Sequence, residues 1–357
     1  MNLSFPILKA YTYLNTANSG ILSTNIAEWR SKHDEAFISG GSIFRMESLP
    51  MISDLRNNIS RLFGSKPNNT YLVQNFSVGF NTLLAGLDKN HRFLLLEEEY
   101  PSVSYPVTSM GFDYHSIGID KNLEDNIIQA IDTFKPTILA FSMVQYISGL
   151  RMDDDFIQKI KSTYPDLLLI GDGTQFLGTL NFNFEKSGLD ALIGSGYKWL
   201  LGGYGNGYAL LSDQMKDAIY HKNKLAELPT APFLKGKDHL SMCFEPGHLD
   251  TLNFGTLNES LNYLGAIGFE AIEKTIQALS NKARLELNSR GLIPDWTMER
   301  KYQSTIMSMP LDQKTVSQLA EAKILCSPRG TGTRISFHFY NTEEDLNQLL
   351  QILDNRS

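Results

Sequence analysis

The segment DDDFIQKIKSTYPDLLLIGD (153–172) decides the fold, because an amphipathic stretch leads directly into a continuous apolar run. The same alternation extends outward to the run TILAFSMV (137–144) before it and to ALIGSG (191–196) after it. Apolar runs without polar alternation are typical of strands that are buried on both faces. Such strands, separated by helices, predict an α/β fold with a mostly parallel sheet and helices on both faces over residues 71–212.

The pattern changes after about residue 243, where amphipathic helical segments surround two short apolar runs. This arrangement predicts a second, smaller α+β domain. We therefore predict a large domain over residues 15–245 and a small domain over residues 246–357, to which the N-terminal segment 1–14 also belongs.

The overall charge limits the kinds of partner. The 357 residues include 32 Lys and Arg against 39 Asp and Glu, which gives a net charge of −7. Such a chain is poorly suited to a nucleic-acid backbone or an anionic membrane surface as its main partner. The sequence has no run of about 18 apolar residues, the length that a membrane helix needs, and no signal peptide at its start. With only Cys243 and Cys326 it lacks a disulfide framework, so we expect a soluble cytoplasmic protein.

Several common motifs are absent from the sequence. It has neither the GxxxxGK[ST] loop of Walker-type nucleotide sites nor the GxSxG turn of serine hydrolases. The GxGxxG fingerprint is also missing, which disfavours a nicotinamide-dependent enzyme. No HExxH occurs, and Cys243 and His248 lack a second pair of ligands, so we expect no metal site.

Two polar residues stand at the ends of apolar runs. In open parallel sheets, ligands bind beyond the carboxyl ends of the strands. Lys198 follows ALIGSG and precedes several glycines, while Asp172 ends a wholly apolar run and needs a cation or strong donor nearby. A lysine that forms a Schiff base and a carboxylate that faces a pyridine nitrogen are what pyridoxal phosphate chemistry requires. A lysine taken alone is more often a surface residue on a loop.

Three motifs carry a family resemblance in this order: GDGTQ (171–175), SGYKW (195–199) and RISFHFYNTEEDL (334–346). Together they make the sequence similar, over residues 13–350, to the class V aminotransferase group of fold type I pyridoxal-phosphate enzymes. That group includes cysteine desulfurases, kynureninases and isopenicillin-epimerase-like proteins. The resemblance implies a large domain with a mostly parallel sheet of the seven-stranded type between helices, and a smaller α+β domain.

The resemblance assigns roles to matching positions. Lys198 matches the lysine that forms the Schiff base with pyridoxal 5′-phosphate and then moves the proton at the substrate α-carbon. Asp172 matches the partner of the pyridinium nitrogen, and Gln175 a donor to the phenolic oxygen. Tyr100 falls where the family stacks a ring on the cofactor, with core packing at a strand end as the alternative. Tyr146 lies where desulfurases have an asparagine that also contacts the phenolic oxygen.

A phosphate site is implied after the first strand of the predicted sheet. Phe76, Ser77 and Val78 open the next helix, where free N–H groups and the helix dipole suit an anion. Ser195 and Tyr197 match positions that add further phosphate contacts. All five residues are therefore predicted to bind the cofactor.

The resemblance also implies an amino acid or amine substrate and a homodimer with active sites at the subunit interface. Arg334 matches the arginine that binds the substrate α-carboxylate, a task suited to a planar guanidinium, with a salt bridge as the alternative. Arg329 is a second candidate for substrate or phosphate. Where the family often reaches the neighbouring subunit's phosphate with Gly-Thr, this sequence offers His248, and Thr256 further on.

The sequence thus predicts a pyridoxal-phosphate-dependent enzyme, with aminotransferase as the default activity of its family. Cysteine desulfurase or C–S lyase chemistry is the main alternative, because the same cofactor supports both. A desulfurase needs an exposed, mobile thiolate, whereas Cys326 lies in KILCSPRG (323–330), which is more typical of a strand end. A non-catalytic scaffold of the same fold is disfavoured by the intact lysine, aspartate and arginine positions.

Overall fold

The structure is a computed structural model that describes residues 4–231, 234 and 236–355. Its strands are β1 (Thr12–Tyr13), β2 (Thr70–Val73), β3 (Arg92–Leu96), β4 (Asp113–Ile117), β5 (Ile138–Ser142), β6 (Leu168–Asp172), β7 (Ala191–Ser195), β8 (Gly207–Leu211), β9 (Ile306–Met309), β10 (Ile324–Leu325), β11 (Ser327–Arg329) and β12 (Gly332–Ser336). Its α-helices are α1 (Thr24–Gly40), α2 (Ser42–Phe63), α3 (Phe76–Ala85), α4 (Pro101–Ser109), α5 (Leu123–Phe134), α6 (Asp154–Thr163), α7 (Asp213–Ala218), α8 (His239–Phe244), α9 (Thr251–Ile267), α10 (Phe269–Ser289), α11 (Asp295–Met298), α12 (Gln313–Glu321) and α13 (Glu343–Asp354). Strands and helices alternate from β2 to β6, as the sequence predicts.

The central sheet has seven strands in the order β2-β8-β7-β6-β5-β3-β4. Its neighbouring strands run parallel, except that β8 is antiparallel to both β2 and β7. The carboxyl ends of β5, β6 and β7 therefore meet at one edge of the sheet. This architecture confirms the predicted α/β fold with a mostly parallel sheet.

Both faces of the central sheet are covered, which explains why its strands are continuous apolar runs in the sequence. In β5, Ile138 and Ala140 belong to one apolar cluster, together with residues of α3, α4, α7 and α8. Leu139 and Phe141 belong to another cluster, with residues of α2, α5, α6 and α9. Successive residues of this strand are thus buried against helices on opposite sides of the sheet.

A smaller antiparallel sheet, β11-β12-β9, packs with α12 and α13 around a third apolar cluster. The N-terminal strand β1 pairs in parallel with β10, so the chain start returns to the C-terminal region. Helix α9 packs instead against α1 and α2 beside the large sheet. The division into 15–245 and 246–357 stays a prediction, and residues 1–3 and 356–357 of the predicted small domain lie outside the described residues.

Two further features concern the described part of the chain as a whole. No helix within residues 4–231, 234 and 236–355 has both the length and the apolar character that a bilayer crossing needs. Over the same ranges, no three His, Cys, Asp or Glu side chains gather in a way that could hold a metal ion. The buried titratable side chains Glu99, Asp172 and Lys198 lie instead near the carboxyl edge of the central sheet.

Candidate active site

A cavity of about 340 Å³ opens at the carboxyl ends of the central strands. Ser142, Asp172 and Ser195, the last residues of β5, β6 and β7, form part of its wall. Most of the predicted site residues line the same cavity: Phe76, Ser77, Tyr100, Tyr146, Asp172, Gln175, Ser195, Tyr197 and Lys198. Val78, His248, Arg329 and Arg334 are not among its lining residues.

Lys198 lies just beyond β7, with only 8% of its surface exposed. Burial lowers its pKa to about 7, and the positive charges of Arg334 and Arg329 act in the same direction, against the opposing effect of Asp172. Its Nζ lies 5.5 Å from the centre of the Tyr197 ring. The amine can therefore be neutral near physiological pH, the state in which an amine is a nucleophile.

Asp172 ends β6 and is 7% exposed. Its Oδ1 accepts a hydrogen bond from the Thr174 backbone N–H at 2.8 Å. Burial raises its pKa to about 6, while the hydrogen bonds from Thr174 and the charge of Lys198 act in the opposite direction. A buried carboxylate with this partly satisfied environment can accept a strong hydrogen bond from a protonated ring nitrogen.

The loop that carries Lys198 is fixed by its neighbour Trp199. The Trp199 indole Nε1–H donates to Gln175 Oε1 at 2.9 Å, and Gln175 Nε2 donates to the carbonyl oxygen of Ala17 at 2.8 Å. The carboxamide of Gln175 thus ties the lysine loop to the N-terminal segment. The other N–H of Gln175 takes part in neither bond and is the donor that the predicted contact with the cofactor's phenolic oxygen would need. That contact stays a prediction.

Gly20 lies against the same loop. Its N–H donates to the Tyr197 carbonyl oxygen at 2.8 Å. A Cβ at position 20 would lie 2.2 Å from the carbonyl oxygen of Lys198, far inside van der Waals contact. A glycine is therefore needed for the N-terminal segment to approach the lysine loop.

The start of α3 contacts the cavity through its backbone. Asn75 caps the helix by accepting a hydrogen bond from the Val78 N–H at 2.9 Å, and Ser195 Oγ accepts one from the Phe76 N–H at 2.9 Å. No described residue accepts a hydrogen bond from the Ser77 N–H. Of the three predicted phosphate-binding amides, that of Ser77 is the one left for an anion, and the exposed Val78 side chain does not line the cavity.

Tyr100 and Tyr146 meet edge to face at the mouth of the cavity, with 5.3 Å between ring centres. Arg334 donates from Nη1 to the carbonyl oxygen of Tyr146 at 2.5 Å, and its buried Nε has no hydrogen-bond partner among the described residues. Burial, with a contribution from Arg329, lowers the Arg334 pKa to about 10. Arg329 bonds only to uncharged groups, among them Asn18 Oδ1 at 2.6 Å. Both guanidinium groups therefore lie near the site without a carboxylate partner among the described residues.

Two predicted candidates lie away from the cavity. His248 is exposed, and its Nδ1 lies 3.2 Å from a guanidinium nitrogen of Arg45 on α2. Cys326 is half-buried between β10 and β11, and burial raises the pKa of its thiol. A raised pKa and a position between two strands are the opposite of an exposed, mobile thiolate.

Seven further residues line the cavity: Gln74, Asn75 and Thr174 are strand-end residues to which the sequence assigned no role, whereas Ser142, Val144, Tyr204 and Gly205 were missed. Ser142 gave little signal, since it stands inside the apolar run TILAFSMV. Tyr204 stacks on Tyr197 with 4.9 Å between ring centres, and its place in the glycine-rich segment after Lys198 could have indicated it. Gln145, which precedes Tyr146, does not line the cavity, and its Oε1 accepts hydrogen bonds from the N–H groups of residues 147 and 148.

The fully buried His338 connects the C-terminal region to the loop that carries Lys198 and Trp199, and its burial leads to a prediction about pH dependence. Phe339 N–H donates to His338 Nδ1 at 2.8 Å, which assigns the ring proton to Nε2, 3.0 Å from the Trp199 carbonyl oxygen. Burial lowers the His338 pKa to about 4, against 6.5 for a free histidine. Between pH 6.5 and 4, His338 is protonated in the unfolded chain but stays neutral in the folded chain. The free energy of unfolding therefore falls by up to about 3 kcal/mol as the pH falls toward 4.

His338→Gln should remove that contribution. We expect a shallower dependence of the free energy of unfolding on pH between 6.5 and 4.5 than in the wild type, as measured by urea denaturation. An unchanged slope would mean that His338 is protonated in the folded protein.

Comparison with known proteins identifies the family. A sequence profile described as Aminotransferase class-V matches residues 24–349. The chain belongs to the aminotransferase class-V family. Membership confirms the family resemblance seen in the sequence, and with it a pyridoxal-phosphate-dependent enzyme of the aminotransferase or related lyase type.

One curated relative of the class-V chain is an uncharacterized aminotransferase, YcbU, of Bacillus subtilis strain 168. It is 20% identical over 359 residues, which cover 96% of this chain and 93% of that protein. Two solved structures of C-DES also match, one in complex with its reaction product cysteine persulfide and described as a cystine C–S lyase, and one a mutant with glycine covalently linked to its PLP cofactor. The structure with cysteine persulfide has a TM-score of 0.85 at 19% identity, and the match covers 98% of this chain and 99% of the C-DES chain. The mutant structure has a TM-score of 0.85 at 20% identity, and the match covers 99% of this chain and 98% of the C-DES chain.

A cysteine desulfurase from Thermococcus onnurineus NA1 matches with a TM-score of 0.81 at 16% identity, over 99% of this chain and 98% of that one. At such identities these structures establish the fold, which is that of the fold type I pyridoxal-phosphate enzymes. The chemical groups that line the cavity are those that pyridoxal phosphate needs. A buried, deprotonatable amine, a buried carboxylate and an unpaired backbone N–H at a helix start all face one space.

Proposed function

We propose that this chain is an aminotransferase that binds pyridoxal 5′-phosphate covalently through Lys198 and acts on an amino acid. The observation that carries the proposal is the Lys198 amine, buried in one cavity with Asp172 and with its pKa lowered to about 7. An amine that is partly neutral near pH 7 is a competent nucleophile toward an aldehyde. A surface lysine, the ordinary alternative, would be solvated and protonated.

When bound, the cofactor's pyridine ring accepts the electrons released at the substrate α-carbon. Asp172 would hold the proton on the ring nitrogen, and Lys198 would take and return the proton at the α-carbon. The Ser77 N–H would bind the phosphate together with the hydroxyls of Ser195 and Tyr197, both of which line the cavity. Ser195 Oγ already accepts a bond from Phe76, so its own O–H is left to donate to the phosphate.

Tyr100 would provide the stacking surface for the cofactor ring, and Asp172 would bond the ring nitrogen. Tyr146 would then limit access to the ring from the side, since it meets Tyr100 edge to face. The remaining N–H of Gln175 would donate to the phenolic oxygen. The roles of Tyr100 and Gln175 match those implied by the family resemblance, whereas the role proposed for Tyr146 differs from the implied contact with the phenolic oxygen.

Arg334 is the proposed carboxylate-binding residue, with Arg329 as the second candidate. Arg334 is buried and bonded only to the Tyr146 carbonyl oxygen, so a planar carboxylate would satisfy its orphaned Nε. Arg334→Gln should raise KM for the amino acid about 10- to 100-fold with a smaller change in kcat, because one charged hydrogen-bonding partner is lost. Steady-state kinetics of Arg334→Gln and Arg329→Gln measure this, and a KM changed only in Arg329→Gln would transfer the role to that residue.

The activity itself is tested by mixing the purified protein with a panel of amino acids and following the visible absorbance of the cofactor. An amino acid substrate should shift the absorbance and, with a 2-oxo acid present, yield its own 2-oxo acid together with the amino acid formed from the acceptor. If no amino acid on the panel changed the absorbance, the proposed function would be wrong.

C–S bond cleavage is the second candidate, supported by the structural likeness to a cystine C–S lyase and to a cysteine desulfurase. Cysteine desulfurase activity is less well supported, because burial raises the pKa of the Cys326 thiol and because Cys326 lies between two strands. Release of sulfide or persulfide from cysteine or cystine without an amino acceptor would favour the lyase. Loss of that release in Cys326→Ala would favour the desulfurase.

A homodimer is proposed from the surface of the first two helices. Phe37, Ile38, Ile43 and Met46 are each more than half exposed, although they are large and apolar. An apolar surface of this kind is usually covered by another molecule. His248 contacts Arg45, which lies between Ile43 and Met46 in the sequence. This position at the apolar surface fits the prediction that His248 reaches the phosphate of a second subunit. We also propose a cytoplasmic location, in keeping with two free cysteines.

A further inference from the structure

The turn between β3 and α4 bends the backbone into an unusual conformation. Glu98 has φ of 56°, in the left-handed region that residues with a Cβ rarely adopt. Its carbonyl oxygen accepts a hydrogen bond from Gln145 Nε2 at 2.9 Å, which holds the turn. The following residue, Glu99, is only 6% exposed. A left-handed residue directly before a buried carboxylate indicates that the turn exists to place that carboxylate.

The Glu99 carboxylate bonds two residues that line the cavity, although Glu99 itself does not line it. Its Oε1 accepts from the Ser142 N–H at 2.8 Å, and its Oε2 bonds the Ser142 hydroxyl at 2.5 Å. The same Oε2 accepts from the Tyr100 N–H at 3.3 Å. Glu99 thus fixes the Ser142 hydroxyl on one wall of the cavity and the backbone of Tyr100 on another.

Ser142 is also the strand neighbour of the predicted ring-nitrogen partner, because it pairs in register with Asp172. A hydroxyl that donates to a carboxylate turns its lone pairs away from that carboxylate and toward the remaining space. The Glu99 side chain therefore decides how the Ser142 hydroxyl is presented beside Asp172. Burial raises the Glu99 pKa to about 7, against the opposing effect of the hydrogen bonds from Ser142, and the charge of Asp172 acts in the same direction as burial.

We propose that Glu99 is a positioning residue for the cofactor, which it does not touch and on which it acts by holding Ser142 and Tyr100 in place. The inference rests on the proposed function, since it requires pyridoxal phosphate in this cavity. A purely structural tie between β3 and β5 is the competing explanation. The two differ in whether loss of the carboxylate changes cofactor affinity or only stability.

Asp190 offers a matched control elsewhere on the same sheet. It is 1% exposed and precedes the first residue of β7, at the opposite edge from the cavity. Like Glu99, it accepts from a backbone N–H of a neighbouring strand, that of Leu169 at 2.8 Å, and from a hydroxyl, that of Ser212 at 3.0 Å. Unlike Glu99, it also forms an ion pair with Lys161 at 2.7 Å, so its loss should cost at least as much stability, without reaching the cavity.

The test compares Glu99→Ala, Glu99→Gln and Asp190→Ala apoproteins, with urea denaturation for stability and fluorescence titration for affinity toward pyridoxal phosphate. We expect both alanine variants to be less stable, but only Glu99→Ala to bind pyridoxal phosphate about 10- to 100-fold more weakly, the equivalent of one or two hydrogen bonds to a charged group. Glu99→Gln should recover most of the affinity, since its amide can accept from the Ser142 N–H and donate to the hydroxyl.

Ser142→Ala keeps the inference testable even if Glu99→Ala does not fold, because it should reproduce the weaker binding while Glu99 is intact. Unchanged affinity in Ser142→Ala, unchanged affinity in a folded Glu99→Ala, or equal weakening in Asp190→Ala would overturn the inference. A wild-type apoprotein that failed to bind pyridoxal phosphate would overturn the proposed function and this inference with it.

Discussion

Replacing Lys198 with alanine is expected to lower kcat at least about 10³-fold and to abolish covalent retention of the cofactor. The side chain has two proposed tasks, to bond the cofactor's aldehyde carbon and to move the proton at the substrate α-carbon. Among the described residues that line the cavity, no other lysine could replace it. The measurement is the steady-state rate with the best amino acid from the panel, together with the visible absorbance that remains after gel filtration.

Lys66→Ala provides the control for removal of a lysine. The Lys66 side chain is about half exposed and forms a surface ion pair with Asp213 at 2.7 Å, so its loss should leave kcat within about 2-fold. A Lys198→Ala protein that kept both its rate and its bound cofactor would exclude Lys198 from the chemistry.

Asp172→Asn should lower kcat about 10²- to 10³-fold, because a fixed charge at the ring nitrogen is lost while the shape is kept. The asparagine Oδ1 can still accept the 2.8 Å bond from the Thr174 N–H. Stability should not fall with activity. Burial raises the Asp172 pKa to about 6, above that of an exposed aspartate, so its ionised form is disfavoured in the folded protein at pH 7.

The free energy of unfolding of Asp172→Asn at pH 7 should therefore equal or exceed that of the wild type, while kcat falls. Urea denaturation of the two apoproteins measures the free energy of unfolding, and steady-state kinetics of the two holoproteins measures kcat. A parallel loss of stability and rate would mean that Asp172 is structural, and an unchanged rate would mean that it does not face the cofactor.

The positions of Lys198 and Asp172 could be predicted because they depend on backbone topology alone. The run DLLLIGD (166–172) ends at the residue where β6 ends, and ALIGSG (191–196) exceeds β7 by a single residue. Since parallel strands present their carboxyl ends at one edge, the polar residues after these runs had to come together. The continuous apolar character of the strands likewise predicted a sheet covered on both faces.

The parts that the sequence could not predict depend on side-chain direction. Glu99 is the last of three consecutive glutamates after the apolar run of β3, and its inward direction depends on the left-handed backbone at Glu98. Ser142 was hidden in an apolar run that continues for two residues beyond β5.

Arg334 and Arg329 illustrate the limit for residues brought in by a second sheet. Arg334 was predicted to bind substrate from the family resemblance, and Arg329 was a second candidate for substrate or phosphate. The charges of both act to lower the pKa of Lys198. Neither lines the cavity, however, because Arg334 is held by the carbonyl oxygen of Tyr146 and Arg329 by Asn18. The first contact joins β12 to the loop after β5 and the second joins β11 to the N-terminal segment, and no local pattern in the sequence encodes either contact.

Borohydride reduction of the purified holoprotein, followed by proteolysis and mass spectrometry, tests the chemistry of this cavity most directly. We predict a single pyridoxyl group on the ε-amine of Lys198, in the peptide that contains Gly196 and Trp199. A reduced protein with no pyridoxyl group, or with the group on any other lysine, would contradict the assignment.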